Sequence, residues 1–136
     1  MMIEKSMIGM FVGDALGAQV EFNSGSIVLN STNTAQRYCF YAYGEGTKIV
    51  INGGTFSFEE YRQRSYACAL AGAVVEINGG TFGVAPNHPR WTTPFYIDDV
   101  STVIITGGTF GFDPTAWVAD GYVAVQNGST WTVQAQ

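Results

Sequence analysis

Apolar and polar residues alternate in short runs along this chain, and the runs return at a nearly constant interval. Phe22, Ile51, Ile77 and Ile105 are spaced by 29, 26 and 28 residues. Two residues before them stand Val20, Ile49, Val75 and Val103, and between lies the mixed column Glu21, Val50, Glu76 and Ile104. A period of two places the outer columns inside and the mixed column outside a β-structure. A second run follows each first. Ile27, Phe56, Phe82 and Phe110 form one inward column, and Leu29, Phe58, Val84 and Phe112 the next. Val28, Ser57, Gly83 and Gly111 point outward between them. Identical aromatic positions one repeat apart are expected to stack at about 4.8 Å, one strand spacing.

The two runs are joined by a repeated corner. Ile51-Asn52-Gly53-Gly54-Thr55-Phe56 recurs as Ile77-Asn78-Gly79-Gly80-Thr81-Phe82 and as Ile105-Thr106-Gly107-Gly108-Thr109-Phe110. Phe22-Asn23-Ser24-Gly25-Ser26-Ile27 is the same corner with Ser24 in place of the first Gly. Gly accepts the positive φ of such a corner, and Asn is expected to bond its own backbone there. A third apolar stretch precedes each pair of runs: Ile8 to Val12, Tyr38 to Tyr43, Tyr66 to Ala71, and Phe95 to Ile97. Three strands per repeat, with one corner signal per period, predict an all-β chain folded as a single-stranded parallel β-helix of about four coils.

The expected organisation is residues 1–19 as N-terminal cap and first strand, 20–112 as the coils, and 113–136 as C-terminal cap. Residues 1 to 12 would lie over the first coil as a short apolar helix or strand. At the other end Asp113 is placed as N-cap, Pro114 at the first helical position and Gly121 at the close of a short helical turn. Tyr122 to Val125 and Thr130 to Val133 then flank Gln126-Asn127-Gly128-Ser129, a hairpin signal.

Composition narrows the picture. The chain has 136 residues, enough for one domain, with 46% hydrophobic and only 12% charged residues. Seventeen Gly and a high aromatic content fit many turns and short strands rather than a helical bundle. The net charge is −5 with a pI near 4.5, and no Lys or Arg run occurs, which argues against a nucleic-acid partner. No stretch approaches the roughly 18 apolar residues of a membrane span. The first residues make an unconvincing signal peptide, because the charged start holds both Glu4 and Lys5 and the apolar core is short and stopped by Asp14. Cys39 and Cys68, about one repeat apart, either pair across adjacent coils or serve as small buried hydrophobes.

The residues resemble a known group. Gly-Gly-Thr-Phe corners followed by Asp113-Pro114-Thr115-Ala116-Trp117-Val118-Ala119-Asp120-Gly121-Tyr122 and an Asn-Gly hairpin look like right-handed β-helix proteins, both bacterial surface or adhesin-like arrays and phage-spike-like solenoids. The resemblance covers roughly residues 20 to 133. It implies a right-handed solenoid carried on a virion or extracellular surface, with protein partners in a larger assembly and a surface glycan as a further partner. It implies no cofactor. In this reading Gly53, Gly54, Phe56, Gly79, Gly80, Phe82, Gly107, Gly108 and Phe110 are structural repeat positions.

Candidate chemistry lies off the repeat. His88, Arg90 and Trp91 share a Pro-rich loop, the longest excursion from the core, and are expected to be exposed together as a binding group for a sugar ring or a protein anchor. No partner motif makes His88 catalytic. Glu21 and Glu76 share an outward column about 10 Å apart, near the upper separation of an inverting carboxylate pair, but Val50 intervenes. Asp98-Asp99 reads as a turn, with too few oxygens for calcium. Glu59-Glu60-Tyr61-Arg62-Gln63-Arg64 reads as a solvated loop with local charge pairing. Thr55, Thr81 and Thr109, with Ser26 below, read as strand residues and not as an ice-binding face. No catalytic or metal-binding residues are expected. The leading expectation is a non-catalytic structural or binding solenoid, a homotrimer that buries outward residues such as Val28, Val50 and Ile104. The alternative is a carbohydrate-active enzyme or glycan-binding module on the same scaffold.

Overall fold

A computed structural model describes residues 2–4, 8–12, 19–59 and 61–136, with the backbone alone for the stretches before residue 19. The strands are β1 (Met2–Glu4), β2 (Ile8–Val12), β3 (Gln19–Phe22), β4 (Ser26–Leu29), β5 (Arg37–Tyr43), β6 (Lys48–Ile51), β7 (Thr55–Phe58), β8 (Arg64–Leu70), β9 (Val74–Ile77), β10 (Thr81–Val84), β11 (Phe95–Ile97), β12 (Thr102–Ile105), β13 (Thr109–Gly111), β14 (Tyr122–Asn127) and β15 (Thr130–Ala135). They fall into three sheets. Sheet 1 has the order β11-β8-β5-β2, sheet 2 the order β12-β9-β6-β3, and sheet 3 the order β1-β4-β7-β10-β13-β15-β14. The chain visits sheets 1, 2 and 3 in that order and returns, which makes an all-β solenoid of about three turns. Every pairing along the coils is parallel, and only β13–β15 and β14–β15 are antiparallel among these strands.

The inward columns close the interior. Ile49, Ile51, Val75, Ile77 and Ile105 are fully buried, and Phe22 and Val103 nearly so. Phe56 to Phe82 is 4.7 Å between ring centroids, and Phe82 to Phe110 is 4.9 Å with planes 7° apart. Those distances match one strand step, so the rings stack because the backbone ladder spaces them so.

The corner between sheets 2 and 3 shows why each of its glycines is there. The second glycine carries positive φ, +107° at Gly54 and +103° at Gly80. The first does not, but a Cβ on Gly53 would stand 2.5 Å from the Asn23 carbonyl oxygen. A Cβ on Gly79 or Gly107 would meet the carbonyl of Asn52 or Asn78 even more closely. The coils touch backbone to backbone here. Ser24 holds this position in the first described corner, which has no earlier described corner stacked against it. The asparagines bond each other and not their own backbone as expected. Asn52 donates from Nδ2 to Asn23 Oδ1 at 2.8 Å, Asn78 donates to Asn52 Oδ1 at 3.0 Å, and the Thr106 hydroxyl donates to Asn78 Oδ1 at 2.7 Å. Equivalent amides one strand step apart are at hydrogen-bonding distance, so repetition itself makes this ladder.

Several side chains depart from the sequence pattern. Val84, expected inside with Leu29, Phe58 and Phe112, is 45% exposed. The ladder between β10 and β13 shifts register between Phe82 and Val84. The ring of Tyr66 fills the vacated slot, 4.4 Å from Phe58 and 5.8 Å from Phe112. Its hydroxyl donates to the Val84 carbonyl at 2.9 Å. Val50, expected outside, is only 6% exposed, because the long side chains of its register neighbours Glu21 and Glu76 flank it. Arg64, read as part of a solvated loop, is fully buried.

The expected helical turn is a 3-10 segment, Thr115–Trp117, with Pro114 at its N-cap and not inside it. The Asp113 carboxylate nonetheless accepts the Thr115 N–H at 3.0 Å. The hairpin reverses through Gly128-Ser129, with Asn127 paired to Thr130. β15 adds to β13, Val118 bridges to Ile105, and the Trp117 ring meets Phe95 at 4.9 Å. Ile8–Val12 is a strand of sheet 1, parallel to β5, and Met2–Glu4 pairs with β4. The rest of the expected 1–19 cap, Asp14 included, lies outside the described residues, as does Glu60.

Candidate binding face

Strands β5 and β8 break strict alternation. Cys39 and Phe40 both pack into the core, and so do Tyr66 and Ala67. Two consecutive inward residues bend each strand and turn Tyr38 and Ser65 outward beside Tyr41 and Cys68. Across sheet 1 the register then aligns Tyr96, Cys68 and Tyr41 in one outward row. Small Cys68 sits at the bottom of this row, fully buried, between two tyrosines.

Around that saddle the rings form one connected cluster. Tyr38 and Tyr96 are nearly parallel, 9° apart at 6.4 Å. Trp91 lies 4.9 Å from Tyr96 and 6.3 Å from Tyr38, and Tyr41 lies 5.8 Å from Tyr38. Tyr96 is 40% exposed and Tyr43, at the far end of β5, 44%. Burial pushes the hydroxyls of Tyr38 and Tyr41 up, with the neighbouring Cys68 adding to it. It pushes the Cys68 thiol up to about 12, the Asp98 charge adding to it. These groups are therefore neutral at physiological pH. Cys39 is in the core and Cys68 on the outer side, both free, so the small-hydrophobe alternative holds and the pairing does not.

Trp91 reaches this face by folding back from its loop. Its indole N–H donates to the Arg64 carbonyl at 3.0 Å and to the Ser65 hydroxyl at 2.8 Å. Ser65 in turn donates to the Thr93 carbonyl at 2.7 Å. His88, Arg90 and Trp91 are thus not one exposed group. Of the three only Arg90 is exposed. His88 accepts the Arg90 N–H through Nδ1 at 3.1 Å and lines a hollow of about 80 Å³ with Thr34, Tyr61, Arg62 and Gln63.

Arg64 anchors the corner beside the face. Its guanidinium donates to the carbonyls of Ser31 at 2.9 Å, Asn33 at 3.0 Å and Ala35 at 2.9 Å, while Glu59 lies 3.8 Å from Nε. The planar fork suits several carbonyls at once, which a Lys could not match. Burial lowers its pKa, an effect that Glu59 opposes.

The other candidate acids are tied up locally. Glu21 accepts from Asn52 Nδ2 at 3.2 Å, and Glu76 pairs with Lys48 at 3.4 Å. Asp98 accepts the N–H groups of Ala71 at 2.8 Å and Val100 at 3.3 Å, holding Ala71 at its positive φ of 57°. The hydrogen bond from the Ser101 side chain first, and then those backbone bonds, hold its carboxyl below the usual range. Asp98 is the turn residue its sequence suggested. The repeat positions Phe56, Phe82 and Phe110 are core, and the paired glycines Gly53, Gly54, Gly79, Gly80, Gly107 and Gly108 are corners.

Sequence reading had one signal for this face: tyrosines at 41 and 96, at equivalent positions of the third apolar stretch. The irregular step at Cys39-Phe40 hid it, because strict alternation does not place Tyr38 and Tyr41 on the same side. No family model matches the chain, and neither a curated protein nor a solved structure matches it.

Proposed function

We propose that this chain is a non-catalytic, ligand-binding β-solenoid displayed on a larger assembly, such as a virion decoration, fibre or spike protein, or a cell-surface adhesin. In this reading it is a right-handed parallel β-helix of four coils, each coil taking one strand from each sheet. The hand follows the strong preference of parallel strands for right-handed crossovers. Residues 113–136 serve as its C-terminal cap, because β15 and the Val118-Ala119 backbone bond along the last strands of sheets 3 and 2. Open edges of that kind otherwise recruit other chains.

The observation that carries the binding reading is the partly exposed ring cluster of Tyr41, Trp91 and Tyr96 on sheet 1, packed around the buried ring of Tyr38. Such flat faces with a polar rim stack on sugar rings and protein anchors. Binding to an immobilised glycan panel, run beside an assay for new reducing ends, tests it. Capture without turnover is expected. Release of reducing ends supports the alternative, a carbohydrate-active enzyme, and removes this reading. A homotrimer packed through Val28 and Ile104 belongs to the same proposal, and a monomer mass at micromolar concentration would remove that element.

A further inference from the structure

All four arginines of the chain and its single histidine lie along one corner, the one between sheets 3 and 1. Arg37 opens β5, Arg62 and Arg64 sit before and at the start of β8, and His88 and Arg90 are in the loop before β11. This is a local reversal of charge in a protein whose net charge is −5. Among the described residues, Glu59 is the acidic group that acts on Arg64, and Arg37 and Arg62 repel it. The same corner alternates cations with rings. Arg37 precedes Tyr38, Arg62 lies over the Tyr61 ring at 4.9 Å, and Arg90 precedes Trp91.

Resting on the binding reading above, we propose that the sheet 1 face with this arginine corner binds an acidic polysaccharide. The rings of Tyr41, Trp91 and Tyr96, packed around the buried Tyr38, offer apolar faces on which pyranose rings stack. Arg90 and its neighbours offer planar donor forks to carboxylate or sulfate groups. The periodicity suits a linear polymer. Tyr41 and Tyr96 occupy the same row two coils apart, about 9.6 Å, close to the length of two linked pyranose rings. The remainder of the acidic surface repels a polyanion and confines it to this corner. A neutral glycan would leave the exposed Arg90 without a role, Arg64 being committed to the loop carbonyls, and an acidic peptide would leave the ring faces without one.

The test measures binding of the full chain to dextran, carboxymethyl-dextran and dextran sulfate, which share one backbone and differ in charge, with poly-glutamate alongside. We expect binding to one or both charged dextrans and at least about tenfold weaker binding to plain dextran. The two charged arms separate carboxylate from sulfate recognition. Raising salt from about 50 mM to about 500 mM should weaken the complex. Tyr96→Ala should weaken it about tenfold and Arg90→Glu by at least about threefold, each with an unchanged circular dichroism spectrum. Arg90 is exposed, so its variant remains informative if Tyr96→Ala is poorly folded. Equal binding to plain and charged dextrans overturns the acidic specificity and leaves the binding reading standing. Tighter binding to poly-glutamate than to either charged dextran overturns it in favour of a protein partner. No binding to any polymer, here or on the glycan panel, overturns both.

Discussion

The two corners that flank sheet 3 obey opposite rules. At the Asn-Gly corner, successive coils carry nearly the same residues, the backbones touch, and side-chain amides bond to their own equivalents one step away. At the arginine corner no two loops have the same length or sequence. Residues 30–36, 59–63 and 85–94 connect the strands there, and Arg64 stitches the first loop to the second through three carbonyls. Repetition builds the first corner from self-complementary neighbours, so it needs no long side chain. Variation in the second corner must be stabilised individually by Arg64, Ser65 and Trp91, and it leaves rings and charges at the surface. The regular edge specifies shape, and the irregular edge is where recognition can arise.

That contrast can be broken from either side. Phe82→Ala removes the middle ring of the Phe56–Phe82–Phe110 stack and should cost about 4 kcal/mol, read as a parallel loss in every spectroscopic probe of denaturant unfolding. Arg64→Ala strands the carbonyls of Ser31, Asn33 and Ala35 and leaves Glu59 without its cation. Its cost of about 3 kcal/mol should fall first on residues 30–36, as about 100-fold faster amide exchange there than at the Asn-Gly corner. Uniform acceleration across the chain would show that the two corners are one cooperative unit.

Smaller perturbations sharpen the comparison. Gly79→Ala drives a Cβ into the Asn52 carbonyl, a backbone atom that cannot turn aside, and should cost about 3 kcal/mol. Gly121→Ala has positive φ but open space around it, so about 1 kcal/mol is expected. Similar midpoints in urea for the two variants would remove close approach as the reason for Gly79. Acid should act more gently still. The carboxyl of Asp98 is lowered in the folded state, so its contribution is present above the unfolded carboxylate value. It is lost as pH falls through the folded one. Below about pH 4 the wild type should therefore lose stability that Asp98→Asn does not lose, and equal pH slopes would show that these bonds do not favour the ionised form.

Sequence reading recovered the periodic half of the molecule and mistook much of the rest. The columns of Phe56, Phe82 and Phe110 and of Ile51, Ile77 and Ile105 were legible because one strand step repeats the same environment. Val84 and Val50 were misplaced because a register shift and flanking side chains override parity at single positions. Arg64 was read as solvated because its partners are carbonyls of residues 31 to 35, about thirty positions earlier, and backbone acceptors carry no residue signature.

The amino-acid order alone therefore determined the all-β class, the three strands per repeat, the glycine corners and the aromatic stack. These follow from spacing, and spacing is a property of the chain. Tertiary structure decided that Trp91 folds onto sheet 1, that Cys68 lies beneath Tyr41 and Tyr96, and that Tyr66 replaces Val84 inside. It also decided that an acidic chain gathers its arginines at one corner. Each of these depends on residues from different coils meeting in space, where packing and hydrogen bonding choose among partners that no local pattern distinguishes.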